Sequence, residues 1–81
     1  MKYDNAVVNE ILDSVVFYVD RNNCRIQYAE YTMPSGAVKF SNIDGEDFRA
    51  FLRISYANKA NDDEPLSEAP IIQNLHDMHR C

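Results

Sequence analysis

Two arginines, Arg49 and Arg53, stand four residues apart in the stretch NIDGEDFRAFLRISY, residues 42 to 56. Their guanidinium groups are planar and can bind a carboxylate or a phosphate with two parallel hydrogen bonds. On a helix this spacing brings both onto one side, where they could form a recognition patch for an anionic group. Glu46 lies on the same side and could pair with either arginine, leaving a salt-bridged flank without a binding role. The sequence leaves both interpretations open.

A second cluster of reactive side chains lies in the stretch HDMHRC, residues 76 to 81. His76 and His79 are three residues apart, so they could share one side of a helix and bind a transition metal. No second cluster of ligand residues occurs elsewhere in the sequence, and the last turn of a helix is a poorly fixed scaffold. We therefore expect a polar helix end whose cationic character suits the helix dipole, with no metal and no cofactor.

A third cluster consists of the carboxylates Asp62, Asp63 and Glu64 in the stretch NKANDDEP. A calcium-binding loop alternates its oxygen ligands around a central glycine, and this stretch has neither feature. We expect an exposed acidic loop. The candidate partner-binding residues are therefore these three carboxylates together with Arg49 and Arg53.

Catalysis by a nucleophile requires a base within hydrogen-bond reach and usually a third group that orients the base. The two histidines lie in the last predicted helix, Cys24 lies in a predicted turn, and no glycine-rich phosphate loop is present. We therefore expect no enzymatic activity. The spacing of Cys24 and Cys81 is typical of neither a metal site nor a redox site. A long-range disulfide is the alternative, but nothing indicates an oxidising compartment, so we expect two free thiols.

The charge balance restricts the class of partner. The 81-residue chain has 13 acidic and 8 basic residues, for a net charge of −5. An acidic chain is a poor general binder of nucleic acid, whose affinity comes largely from neutralised phosphates, whereas a basic protein surface suits it. No apolar run approaches the roughly 20 residues that span a bilayer. We therefore predict one small cytoplasmic domain over residues 1–81, without membrane contact and with its oligomeric state left open.

The hydrophobic pattern predicts the elements that would position these residues. An amphipathic helix with Asp4 or Asn5 as its cap is followed by three strand-like runs, SVVFYVD, RIQYAEYTM and AVKFS, separated by two turns. We expect Ile26 and Tyr28 to share one face of the second strand. Two further helices follow, so the prediction is an α+β domain of order α-β-β-β-α-α. Its helices lie on one face of a small three-stranded antiparallel sheet.

One set of motifs runs through most of this order. It consists of Tyr28-Ala29-Glu30-Tyr31, Gly36 in the following turn, Phe40, then Phe48-Arg49-Ala50-Phe51-Leu52 with Tyr56, and Pro65 before Ile72–Leu75. Over residues 11 to 79 this arrangement resembles the N-terminal accessory region that precedes the primase/helicase-type ATPase of replication proteins in phages, plasmids and integrated elements. Phenylalanine stands where that family usually has two tryptophans, at Phe40 and Phe51. The ATPase has no counterpart here, so none of its activity carries over.

The resemblance implies a small noncatalytic module of a mobile element. Together with the acidic charge, it predicts a protein-interaction module linked to nucleic-acid or replication machinery through protein contacts. The alternative is a free-standing acidic phage protein that inhibits a host nucleic-acid-binding or defence factor by occupying its basic surface. In both cases the partner is a protein, with a basic nucleic-acid-binding protein as the leading candidate, and direct binding to nucleic acid is not expected.

Overall fold

The computed structural model describes residues 4–60 and 66–78, and it confirms the predicted α+β architecture and element order. A three-stranded antiparallel sheet carries the helices on one face. None of the helices in the described ranges has the length and apolar character needed to cross a membrane. The elements are α1 (Asn5–Asp13), β1 (Val16–Val19), β2 (Ile26–Thr32), β3 (Val38–Asn42), α2 (Glu46–Ala60) and α3 (Ala69–Asp77).

The start of α1 is fixed by one residue, Asp4. Its carboxylate accepts hydrogen bonds from the backbone N–H groups of Ala6 and Val7, at 2.9 and 3.4 Å. A cap of this kind stabilises a helix by about 1 kcal/mol because it satisfies donors that have no partner within the helix. The Asp4 backbone N–H also donates to the Tyr56 hydroxyl at 2.8 Å. The cap therefore fixes both the beginning of α1 and its attachment to α2.

The three strands follow one another in the sheet, in the order β1-β2-β3. In the β2–β3 turn Gly36 has a φ of 96°, which favours glycine, and its N–H donates to the Met33 carbonyl at 2.8 Å. In the β1–β2 turn Cys24 has a φ of 61° and is disulfide-bonded. The expectation of a free thiol at Cys24 is therefore wrong, and Cys81 lies outside the described residues.

A β-bulge changes which side chains of β2 face the helices. Tyr18 pairs with Tyr28, whereas the next residue, Val19, pairs with Ile26, so Gln27 is the extra residue of β2. The bulge shifts the alternation by one position. Ile26 is consequently buried against the helices while Tyr28 is exposed on the other face. The prediction that these two residues share a face is wrong for this reason.

The core lies between the sheet and the helices and is centred on three aromatic rings. The ring of Tyr31 in β2 lies 4.5 Å from that of Phe51 and 5.5 Å from that of Phe48, both in α2. The Tyr31 hydroxyl shares a hydrogen bond of 2.8 Å with Ser41 Oγ, which satisfies its polar end. The buried apolar side chains are Val8, Ile11, Val15, Ile26, Ala29, Tyr31, Ile43, Phe48, Phe51, Leu52, Tyr56, Leu66, Ile71, Ile72 and Leu75.

Candidate functional site

Of the two candidate arginines, Arg53 is occupied by partners within the protein. Its two terminal nitrogens donate to Glu46 Oε2 at 2.6 Å and to Glu68 Oε1 at 2.9 Å. Glu46 lies in the first turn of α2 and Glu68 immediately precedes α3, so Arg53 links the two helices. The pairing with Glu46 that the sequence allowed is present. Arg53 also bonds a second, separate carboxylate, Glu68, which the sequence did not indicate.

Arg49 differs from Arg53 in having no such partner. It is half-buried on α2, and its side chain makes no hydrogen bond or ion pair within residues 4–60 and 66–78. The remaining predicted partner-binding residues, Asp62, Asp63 and Glu64, lie outside the described residues. The described part of the chain therefore does not assemble the five candidates into one site.

The Arg53 ion pair gives a testable pH dependence. The hydrogen bond from Arg53, and then its charge, hold the pKa of Glu46 below its ordinary value. Because the folded-state pKa is the lower one, the stabilisation is present above the unfolded-state pKa and is lost as pH falls through the folded value. We expect Arg53→Gln to return the Glu46 pKa towards normal, measured by NMR titration of its side-chain carboxyl carbon. Arg49→Gln is the matched control and should leave most of the lowering, and equal effects would contradict the assignment.

The candidate metal ligand His76 has a protein partner. Its Nε2 lies 2.6 Å from Asp44 Oδ1, so the pair joins the last turn of α3 to the loop before α2. Among the described residues no group of three or more His, Cys, Asp or Glu side chains could hold a metal ion. The other histidine of the predicted pair, His79, lies outside the described residues.

A surface that the sequence analysis did not single out covers the side of the sheet opposite the helices. We call it the open face. Val38, Phe40 and Val16 are 64, 57 and 54% exposed there, although residues of these types are usually buried. A contiguous exposed apolar patch is typical of an interaction site, whereas single exposed apolar residues are normal. By strand alternation and register, the open face comprises Val16, Tyr18, Tyr28, Glu30, Thr32, Val38, Phe40 and Asn42.

The centre of the open face is an aromatic cluster drawn from all three strands. The Phe40 ring stacks on Tyr28, with centroids 5.4 Å apart and planes 13° from parallel. It also meets the Tyr18 ring edge to face at 5.2 Å. Each ring is restrained by its neighbour and by the sheet beneath it. The cluster is therefore a preformed surface, and a partner that covers it loses little side-chain entropy.

One charged group lies within the open face, the half-buried carboxylate of Glu30. It is on the middle strand, directly opposite Val16 on one side and Phe40 on the other. The Tyr18 hydroxyl donates to Glu30 Oε1 at 2.9 Å. The open face thus combines flat apolar rings with one oriented anion.

The contact between Tyr18 and Glu30 shifts the pKa of the Tyr18 hydroxyl. The hydrogen bond, and then the charge of Glu30, raise the pKa of Tyr18 above its ordinary value. The contact therefore stabilises the fold below the unfolded-state pKa of about 10, and this contribution is lost as pH rises through the folded value. We expect Glu30→Ala to return the Tyr18 pKa towards normal, measured at its ring Cζ by NMR. Glu10→Ala, which removes an acid paired with Lys59 on another part of the surface, should leave it raised.

A sequence signal for the open face exists in β1. Val16 and Tyr18 alternate with Phe17 and Val19, so both faces of the strand are apolar, yet the helices can cover only one of them.

Comparison with protein-family models, curated proteins and solved structures found no match to this chain. The function is therefore argued from the chemistry of the surface itself.

Proposed function

We propose that this protein is a noncatalytic module that binds a protein partner with a basic surface, and that it does so through the open face. The main support for this proposal is the aromatic cluster of Tyr18, Tyr28 and Phe40, whose three rings pack together and yet remain exposed. Aromatic residues are enriched at the centres of protein interfaces, where they bury a large area at low entropic cost. Val16 and Val38 extend the apolar surface on either side.

The charge of the protein supports a basic partner. The chain has a net charge of −5, and Glu30 adds a negative charge within the open face itself. Lys39 lies between Val38 and Phe40 in β3, so strand alternation directs it to the opposite side of the sheet. A partner that presents cations is attracted both at long range and at contact.

Single-stranded nucleic acid is the strongest competing ligand, because bases stack on exposed aromatic rings. Such binding also requires cations that follow the phosphate backbone. The open face provides Glu30 rather than a cation, and Arg21 and Arg25 lie between β1 and β2 at one end of the sheet. The balance of charge therefore supports a protein partner over a nucleic acid.

The biological setting of the proposal rests on the resemblance to the accessory region of replication ATPases. In that setting the module belongs to a phage or other mobile element and contacts a protein of the replication machinery. The acidic charge equally supports the alternative, in which the protein occupies the basic surface of a host nucleic-acid-binding or defence factor and so inhibits it. Both versions use the same surface and differ in the partner.

The test is affinity capture with matched variants. Immobilised wild-type protein, Phe40→Ser and Ile54→Ser are incubated with host-cell extract, and retained proteins are identified by mass spectrometry. Ile54 is also an exposed apolar residue, at 44%, but it lies on α2 away from the open face. We expect a basic partner that wild type and Ile54→Ser retain and Phe40→Ser loses. Retention of the same partners by all three would contradict the proposal.

A further inference from the structure

The carboxylate of Glu30 retains binding capacity after its contact with Tyr18. An ionised carboxylate offers about four lone-pair sites, and the Tyr18 hydroxyl occupies one of them. The ion pairs in residues 4–60 and 66–78 join Arg53, Lys59 and His76 to other acids, and none of them includes Glu30. Glu30 therefore remains a negative group without a cationic partner among the described residues, on the middle strand of a surface suited to docking.

The rings beside Glu30 restrict the kind of cation that fits. Phe40 is the direct cross-strand neighbour of Glu30, and side chains opposite each other in a pair of strands lie about 5 Å apart at Cβ. Tyr28 and Phe40 stack with planes only 13° from parallel. Because Phe40 is still 57% exposed, a cation bound to the Glu30 carboxylate is placed to contact the part of that ring that Tyr28 does not cover, where cation–π attraction would add to the charge pairing.

An arginine satisfies both conditions better than a lysine. Its guanidinium is planar, stacks on an aromatic ring and donates two parallel hydrogen bonds to one carboxylate, whereas the lysine ammonium is a compact, strongly hydrated point charge. The hydroxyl of Tyr18 holds the Glu30 carboxylate in position before the partner arrives. A preoriented acceptor lowers the entropic cost of forming the pair.

We propose that the open face is an arginine-recognition site, in which a guanidinium of the partner protein stacks on the ring of Phe40 and bonds the carboxylate of Glu30. This inference rests on the proposed function and adds to it the chemical group that the partner presents. It also assigns separate roles: Phe40 and Tyr28 supply apolar area, Glu30 supplies the selectivity for a cation, and Tyr18 orients Glu30.

The experiment titrates the isotopically labelled full chain with three small probes and follows the ring signals of Tyr18, Tyr28 and Phe40 by NMR. The probes are N-acetyl-arginine amide, N-acetyl-lysine amide and N-acetyl-citrulline amide, the last being the neutral isostere of arginine. We expect saturable shifts with arginine, about tenfold weaker binding of lysine and no binding of citrulline, since loss of one charge-assisted contact typically costs about one power of ten in affinity. Glu30→Gln keeps the shape of the side chain and should abolish the preference for arginine. Glu10→Gln, an exposed acid on α1, is the control and should retain it.

The outcomes separate this inference from the proposed function. Equal shifts with arginine and citrulline, or an unchanged arginine preference in Glu30→Gln, would overturn arginine recognition. A single-stranded oligothymidylate that binds the same rings more tightly than arginine would overturn it as well. If Phe40→Ser abolishes capture of the partner while Glu30→Gln does not, the protein-binding function stands and the arginine site is refuted. If Phe40→Ser leaves capture intact, the proposed function and this inference fail together.

Discussion

Phe51→Ala should lower the free energy of unfolding by about 3–5 kcal/mol, the range typical of removing a buried phenylalanine ring. Phe51 is only 2% exposed and contacts the rings of Tyr31 and Phe48, with centroids at 4.5 and 5.9 Å. Truncation removes these contacts and leaves a cavity between β2 and α2 that the surrounding rings cannot fill. A small domain has only about 5–15 kcal/mol of stability, so this loss is a large share of it.

Urea unfolding followed by circular dichroism measures this change, with Ile54→Ala as the matched control. Ile54 lies three residues further along α2 and is 44% exposed, so its truncation should change stability by no more than about 0.5 kcal/mol. A loss below about 1 kcal/mol for Phe51→Ala would show that the three-ring centre of the core is not as described.

Phe40→Ala should weaken binding of the captured partner by about 30-fold or more while changing the stability of the free protein little. Truncation of a residue at the centre of an interface typically costs about 2 kcal/mol or more of binding free energy, which corresponds to about 30-fold in affinity. In the free protein Phe40 is 57% exposed. Loss of its cross-strand contacts with Tyr28 and Tyr18 should cost only about 1 kcal/mol of stability.

Isothermal titration calorimetry with the purified partner measures this change, alongside urea unfolding of the same variant. Arg49→Ala serves as the comparison, because Arg49 was a predicted partner-binding residue and lies on α2, away from the open face. An affinity that falls with Arg49→Ala and not with Phe40→Ala would move the binding surface from the sheet to α2.

Local features of the fold could be predicted from the sequence because their signals lie within a few residues of one another. The cap at Asp4 and the placing of Glu46 and Arg53 on one side of α2 are both of this kind. Their geometry follows from helix periodicity and from the hydrogen-bonding needs of helix ends. Such local signals were sufficient to predict the order of the helices and strands and the α+β fold class.

Features that depend on distant contacts or on a small register change were not predictable in this way. The bulge at Gln27 carries no glycine or proline to mark it, and it inverts the faces of Ile26 and Tyr28. The pairing of Arg53 with Glu68 joins residues 15 apart in the chain, across two helices. Which apolar face of β1 the helices leave uncovered also depends on their packing, so the open face becomes apparent only in three dimensions.

Cross-saturation NMR on the complex shows which surface of the protein contacts the partner, and we expect that surface to be the open face. The labelled protein is observed through the methyl groups of Val16, Val38 and Ile54 while the protons of the unlabelled partner are irradiated. The two valines belong to the open face and Ile54 lies on α2, and all three are exposed in the free protein. We predict strong transfer to Val16 and Val38 and almost none to Ile54. Transfer to Ile54 with the two valines unaffected would show that the partner binds at α2 and not at the open face.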